Sequence, residues 1–163
     1  MKICGIVGWK NSGKTTLMKE LIKYLTSKSF IVASIKHAHH NFDIDKKNTD
    51  SFIHRKAGAK EVLISSSKRW AKIEERENLK ELSLNDLLLK IERSDMVLVE
   101  GFKNENHKKI EVINNLNSKQ KPLFESIKNV IAVVSNEKIA TNLPTFNNTD
   151  YKSIGDFIIS QNL

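Results

Sequence analysis

Gly8-Trp9-Lys10-Asn11-Ser12-Gly13-Lys14-Thr15 matches the pattern G-x-x-x-x-G-K-[ST] at every fixed position, and its flanks constrain what the chain can fold into. Ahead of it, Lys2 to Val7 (KICGIV) is a short apolar run with β-branched residues, which reads as a strand. Behind it, Leu17, Leu21, Ile22 and Leu25 recur at helical spacing between Thr15 and Leu25. Strand, glycine-rich turn and helix in that order make a phosphate cradle. Gly8 and Gly13 let backbone N–H groups wrap an anion, Lys14 supplies a point charge, Thr15 offers a hydroxyl to Mg²⁺, and the helix aims its positive end at the phosphates. Asn11, Ser12 and Thr16 are further expected contacts of the cradle. Lys10 reads equally as a cation near the terminal phosphate and as a solvated lysine.

Beyond the cradle, Phe30 to Lys36 (FIVASIK) is a second strand, followed by a polar loop from His37 to Asn48. Thr49 or Asp50 caps a predicted helix to about Ala57, with Gly58 at its C-terminal stop. Glu61 to Ser65 is a third strand, and Trp70 to Glu74 alternates apolar with polar residues as an edge or antiparallel strand does. Ser83 to Arg93 is the third helix, with Ser83 as cap and Asp86 in its first turn. Asp95 to Glu100 and Asn129 to Val134 are nearly continuous hydrophobe, the pattern of central parallel strands, and Lys109 to Ile113 is a short strand between them. A last helix from about Asp150 to Ile159 turns Tyr151, Ile154, Phe157 and Ile158 inward. The expected fold is α/β, a mainly parallel sheet flanked by helices with some antiparallel edge strands.

A cradle of this kind needs an acid at the end of a neighbouring buried strand, and Glu100 fits, since a charge emerging after Met96-Val97-Leu98-Val99 has to pair, bind metal or reach solvent. Glu100 is therefore the expected catalytic acid and, with Thr15, the expected Mg²⁺ holder. Lys103, just beyond Gly101, is an expected phosphate contact. The segment Lys36 to Asp45 carries His37, His39 and His40 at the sheet edge where ligands bind in open α/β folds. His37 and His39 alternate onto one side. They serve either as metal ligands or, with no cysteine nearby to close a tetrahedral zinc site, as donors to an anionic ligand. Asp43 is expected to assist catalysis by positioning water or metal. The lone cysteine, Cys4, lies in an apolar run and reads as a buried, reduced thiol.

The chain has 163 residues and 18.6 kDa, the size of one ordinary domain, so residues 1–163 are expected to share one nucleotide-binding core. No apolar run approaches the roughly 18 residues a membrane span needs, which argues against a membrane and for the cytoplasm. The formal charge of +8 favours acidic partners. Yet the cations are almost all lysine, only Arg55, Arg69, Arg76 and Arg93 being arginine, and the basic segments lack the interleaved aromatics that single-stranded nucleic acid stacks on.

Taken together, Val7 to Thr16, Lys36 to His40 with Phe42-Asp43, Asp50-Ser51 with His54 to Ala59, and Leu98 to Lys103 resemble the molybdopterin-guanine dinucleotide biosynthesis protein B family. These blocks stand in the family's order from residue 2 to about residue 112. The resemblance implies a P-loop NTPase-type fold and a homodimer that binds GTP with Mg²⁺ and hydrolyses it weakly. It also implies an adaptor role beside the guanylyltransferase that joins GMP to molybdopterin, with molybdopterin or its guanine dinucleotide as a further partner. Val134-Ser135-Asn136-Glu137-Lys138 follows the right kind of strand for an Asn-Lys-x-Asp guanine reader but supplies no matching Asp, so the guanine preference comes with the resemblance. The enzyme alternative is a P-loop small-molecule or nucleotide kinase, which calls for an arginine-rich lid that this sequence does not display.

Overall fold

The computed structural model describes residues 1–38, 42–76, 80–114 and 120–163. Its strands and helices group into two compact units, one made of Met1–His37 with Ser83–Leu163 and the other of Ala38–Leu82.

The larger unit is built on six strands: β1 (Lys2–Val7), β2 (Val32–Lys36), β5 (Met96–Glu100), β6 (Lys109–Val112), β7 (Val130–Val134) and β8 (Thr145–Phe146). They form one parallel sheet in the order β2-β5-β1-β6-β7-β8. β1 and β5 lie at its centre, and residues 96 to 99 are wholly buried, which is why their sequence is unbroken hydrophobe. Helix α1 (Lys14–Ser27) lays Leu17, Met18, Leu21 and Leu25 on the sheet, and α4 (Tyr151–Ser160) adds Ile154 and Ile158 to the same core. On the other face Ile35, Val97, Val99 and Phe102 pack with Leu84 of α3 (Leu84–Leu88).

Helix α3 is shorter than its apolar spacing suggests. Ser83 and Asp86 form the expected capping box, but regular α-helix stops at Leu88 and the following turn leaves Leu89 86% exposed. The sequence also left β8 unread, because a strand of only Thr145 and Phe146 has too few residues to show a period.

Lys109 and Glu111 on β6 are fully buried charged residues. Lys109 Nζ donates to the carbonyls of Glu105 (2.5 Å), His107 (2.6 Å) and Lys128 (3.3 Å). The Glu111 carboxylate accepts from the backbone N–H of Leu123 (2.6 Å) and Phe124 (2.8 Å), and so anchors the 3₁₀ turn Leu123–Glu125. Burial raises the Glu111 pKa, opposed by those N–H donors.

The smaller unit consists of α2 (Asp50–Lys56) and the antiparallel pair β3 (Glu61–Ser65) and β4 (Trp70–Glu74). Thr49 precedes α2, and Gly58 at φ 106 ends it with its N–H on Arg55 O, as the sequence leads one to expect.

Candidate functional site

In a parallel sheet the loops that leave the C-terminal strand ends share one edge, and β1, β2, β5, β6 and β7 all end there. The cradle leaves β1 after Val7. Gly8 has φ 151, and a Cβ there would run into Val112 O and lie 2.6 Å from Ser12 Oγ, so glycine is required on both backbone and packing grounds. Asn11 at φ 64 takes the left-handed turn that asparagine tolerates. Gly13, at φ 96, opens α1, and a Cβ there would meet nothing within 4 Å. Its φ alone favours glycine there.

Lys14 Nζ folds back over the loop onto Gly8 O (3.0 Å) and Trp9 O (2.7 Å). Burial lowers its pKa, while the charge of Glu100 raises it and that of Lys36 lowers it further. Ser12 Oγ is buried and, among the described residues, has no hydrogen-bond partner. A buried orphan hydroxyl is costly unless a ligand satisfies it, and an ammonium and a helix start beside it suit an anion.

The acid stands one strand away. Glu100 is in register with both Ile6 and Lys36, its carbonyl accepts the His37 N–H (2.9 Å), and Lys36 Nζ lies 4.0 Å from Glu100 Oε1. The Thr15 hydroxyl and the Glu100 carboxylate are both oxygen donors of the kind Mg²⁺ takes, so the residues present fit the metal. Lys103 Nζ sits 5.8 Å from the Trp9 ring centroid, which brings it to the cradle. Lys10, Asn11 and Thr16 line the loop and the start of α1 as exposed side chains.

Of the histidines, His37 belongs to this edge. Its ring stacks on Phe102, with centroids 4.4 Å apart, and Phe102 holds a left-handed φ of 49 that a bulky residue rarely adopts. Such strained backbone concentrates at functional sites. His39 and His40 lie outside the described residues. Asp43 belongs to the smaller unit, where its carboxylate accepts from Arg55 (2.8 Å) beside Asp45.

Sequence reasoning missed two supports of the cradle. The Trp9 indole N–H donates to Lys121 O (2.9 Å), and Glu111 secures the turn that follows Lys121. A tryptophan inside a phosphate loop was the one available signal. Cys4 is fully buried and its thiol is pushed up to about 12, which removes it as a nucleophile.

Over residues 3–136 the chain matches the family described as Molybdopterin guanine dinucleotide synthesis protein B. The molybdopterin-guanine dinucleotide biosynthesis adapter protein of Escherichia coli (strain K12) is 33% identical over 159 residues, covering 96% of this chain and 91% of that protein. The protein of the same name from Haemophilus influenzae is 37% identical over 158 residues, covering 96% and 86%. Among solved structures, a molybdopterin-guanine biosynthesis protein B superposes with a TM-score of 0.76 at 25% identity, over 97% of this chain and 98% of that one.

Proposed function

The chain belongs to the molybdopterin guanine dinucleotide synthesis protein B family, and on that premise we propose that it is a GTP-binding accessory protein with slow GTPase activity, assisting the attachment of GMP to molybdopterin. The observation that carries the nucleotide reading is the glycine-shaped loop in which the Ser12 hydroxyl is orphaned among the described residues and the Lys14 ammonium lies across the turn. In this reading Gly8, Lys10, Asn11, Ser12, Gly13, Lys14, Thr15 and Thr16 hold the phosphates, with Lys103 and His37 at the margin and His39 completing the histidine block.

Thr15 and Glu100 would hold Mg²⁺, which when bound would supply charge neutralisation at the phosphates. Lys14 exchanges its loop carbonyls for phosphate oxygens. Glu100 would orient the attacking water. The slow rate is read from the larger unit, which offers no evident arginine finger at the cradle. Arg93, the arginine of the larger unit, precedes β5 at the sheet edge opposite the cradle. A stimulating arginine supplied by a partner is worth about 10³-fold or more, and a chain without one in place turns over slowly.

The printed name of the bacterial relatives, adapter protein, supports a guanylyltransferase partner, with molybdopterin or its guanine dinucleotide as the shared ligand. The family resemblance supports a cytoplasmic homodimer, and no helix among the described residues is long and apolar enough to cross a membrane.

A titration with GTP and Mg²⁺ tests the reading. Lys14→Ala loses a charge-assisted contact to phosphate, worth a factor of about 10 to 10² in affinity. Glu100→Gln impairs Mg²⁺-dependent hydrolysis far more than binding. Unchanged GTP affinity in a folded Lys14→Ala variant overturns the assignment.

A further inference from the structure

The two flanks of the cradle differ in chemistry. The sheet order β2-β5-β1-β6-β7-β8 sets β5 and β2 on one side of β1 and β6 and β7 on the other. The β5 side carries Lys36, Glu100 and Lys103, all charged, which suits a terminal phosphate and its metal. The β6 and β7 side opens into a cavity of about 220 Å³ that shares Ser12, Gly13 and Thr16 with the cradle and continues to Asn114, Asn148 and Tyr151. Its remaining wall is apolar, from Leu17, Val112 and Val134.

We infer that this cavity is the nucleoside subsite, in which the amides of Asn114 and Asn148 read the edge of a purine base beside the Tyr151 ring. The inference rests on the nucleotide reading above and adds to it the residues that select the base. The volume is below the roughly 300–1,000 Å³ of a whole ligand site, as expected for a subsite that holds half a molecule while the open cradle holds the rest. Amides carry both donors and acceptors, and among the described residues the side chains of Asn114 and Asn148 have no hydrogen-bond partner, so both are free to pair with a base. Asn148 is also held in place. Its backbone N–H donates to Asn136 Oδ1 (3.2 Å), tying the loop after β8 to the segment after β7, where Ser135 Oγ in turn accepts the Glu137 N–H (3.0 Å). The Ser135-Asn136 segment, which lacks the aspartate of a guanine-reading motif, thus acts as a positioning support for a reader on the next loop.

The test compares GTP with inorganic tripolyphosphate, which fills the cradle alone. Wild-type protein is expected to bind GTP at least about tenfold more tightly than tripolyphosphate. Asn148→Leu and, separately, Asn114→Leu are expected to remove most of that margin while tripolyphosphate affinity stays unchanged. Tyr151→Leu serves as a second route should one asparagine variant not fold, as judged by circular dichroism. If the folded variants keep the full margin, or lose GTP and tripolyphosphate affinity alike, the subsite is overturned and the cradle stands. If the wild type binds tripolyphosphate as tightly as GTP, the subsite is likewise overturned. If it binds neither, the nucleotide reading falls with it.

Discussion

Residues 1–37 and 83–163 bury Ile6, Leu21, Leu25, Met96, Leu98, Ile110, Ile154 and Ile158 completely, whereas in residues 38–82 the only buried hydrophobe among the described residues is Val62. What the smaller unit buries instead is charge. The side chains of Arg55 and Asp45 are 8% and 4% exposed, and the guanidinium forks onto Asp45 through Nε (3.1 Å) and Nη2 (2.6 Å), with Asp43 and Glu75 as further acceptors. Its large apolar side chains face outward: Phe42, Ile44, Leu63 and Trp70 are each about two-thirds exposed. A six-stranded sheet with helices has enough area to build an apolar core, while a short helix and a hairpin do not, so the smaller unit relies on a directional ion cluster. The contrast predicts different sensitivities in the two units.

The largest effect is expected in the apolar core. Leu21→Ala should cost about 2–5 kcal/mol in denaturant unfolding, since Leu21 is wholly buried between α1 and the sheet. A loss below 1 kcal/mol would mean the core is looser than its burial implies. Next comes the polar exception in that core. Glu111→Leu orphans the Leu123 and Phe124 N–H groups at roughly 1–3 kcal/mol each, and should expose residues 120–126 to hydrogen exchange and shift Trp9 fluorescence through the Trp9 to Lys121 bond.

A smaller and local effect is expected from Arg55→Met. Exchange protection in residues 50–74 should fall while that of β1 and β5 is unchanged, and salt should have little effect on the wild-type cluster because its charges are buried. Protection lost equally in both units would break the comparison.

The smallest effects are in pH. The His107 imidazole is desolvated against Gly5 and Lys109, both its ring nitrogens are unpartnered among the described residues, and burial followed by the Lys109 charge pushes its pKa from 6.5 down to about 4. The unfolded chain takes up that proton first, so the larger unit should lose stability as pH falls from 6.5 towards 4, and His107→Leu should flatten that slope. Asp45 behaves differently. The Arg55 hydrogen bonds hold its carboxyl below the ordinary 3.8, so its contribution is intact above that pH and lost only in more acidic solution, and it is the smaller unit that should open there. Opening of both units over one pH range would contradict the assignment.

Local chemistry alone determined much of this protein. The eight residues from Gly8 to Thr15 dictate a tight glycine turn between strand and helix, unbroken hydrophobe marks β5 and β7 as buried strands, and Ser83 with Asp86 writes its own helix cap. The α/β class and the place of Glu100 beside the cradle follow from those patterns, because strand burial and phosphate binding both leave a mark within a few residues. Other features depended on residues far apart in the chain. Whether Glu111 sits in water or under a turn 12 residues later, whether Trp9 meets Lys121, and whether Asn148 reaches the cavity that begins at Ser12 are set by strand order, which no local period encodes. The same holds for Asp43: its sequence neighbours suggest a catalytic loop, and only the folded chain brings Arg55 to its carboxylate. A charge carries no periodic signature of its partner, so the pairing of buried charges and the side of the cradle on which the cavity opens are decided by tertiary structure.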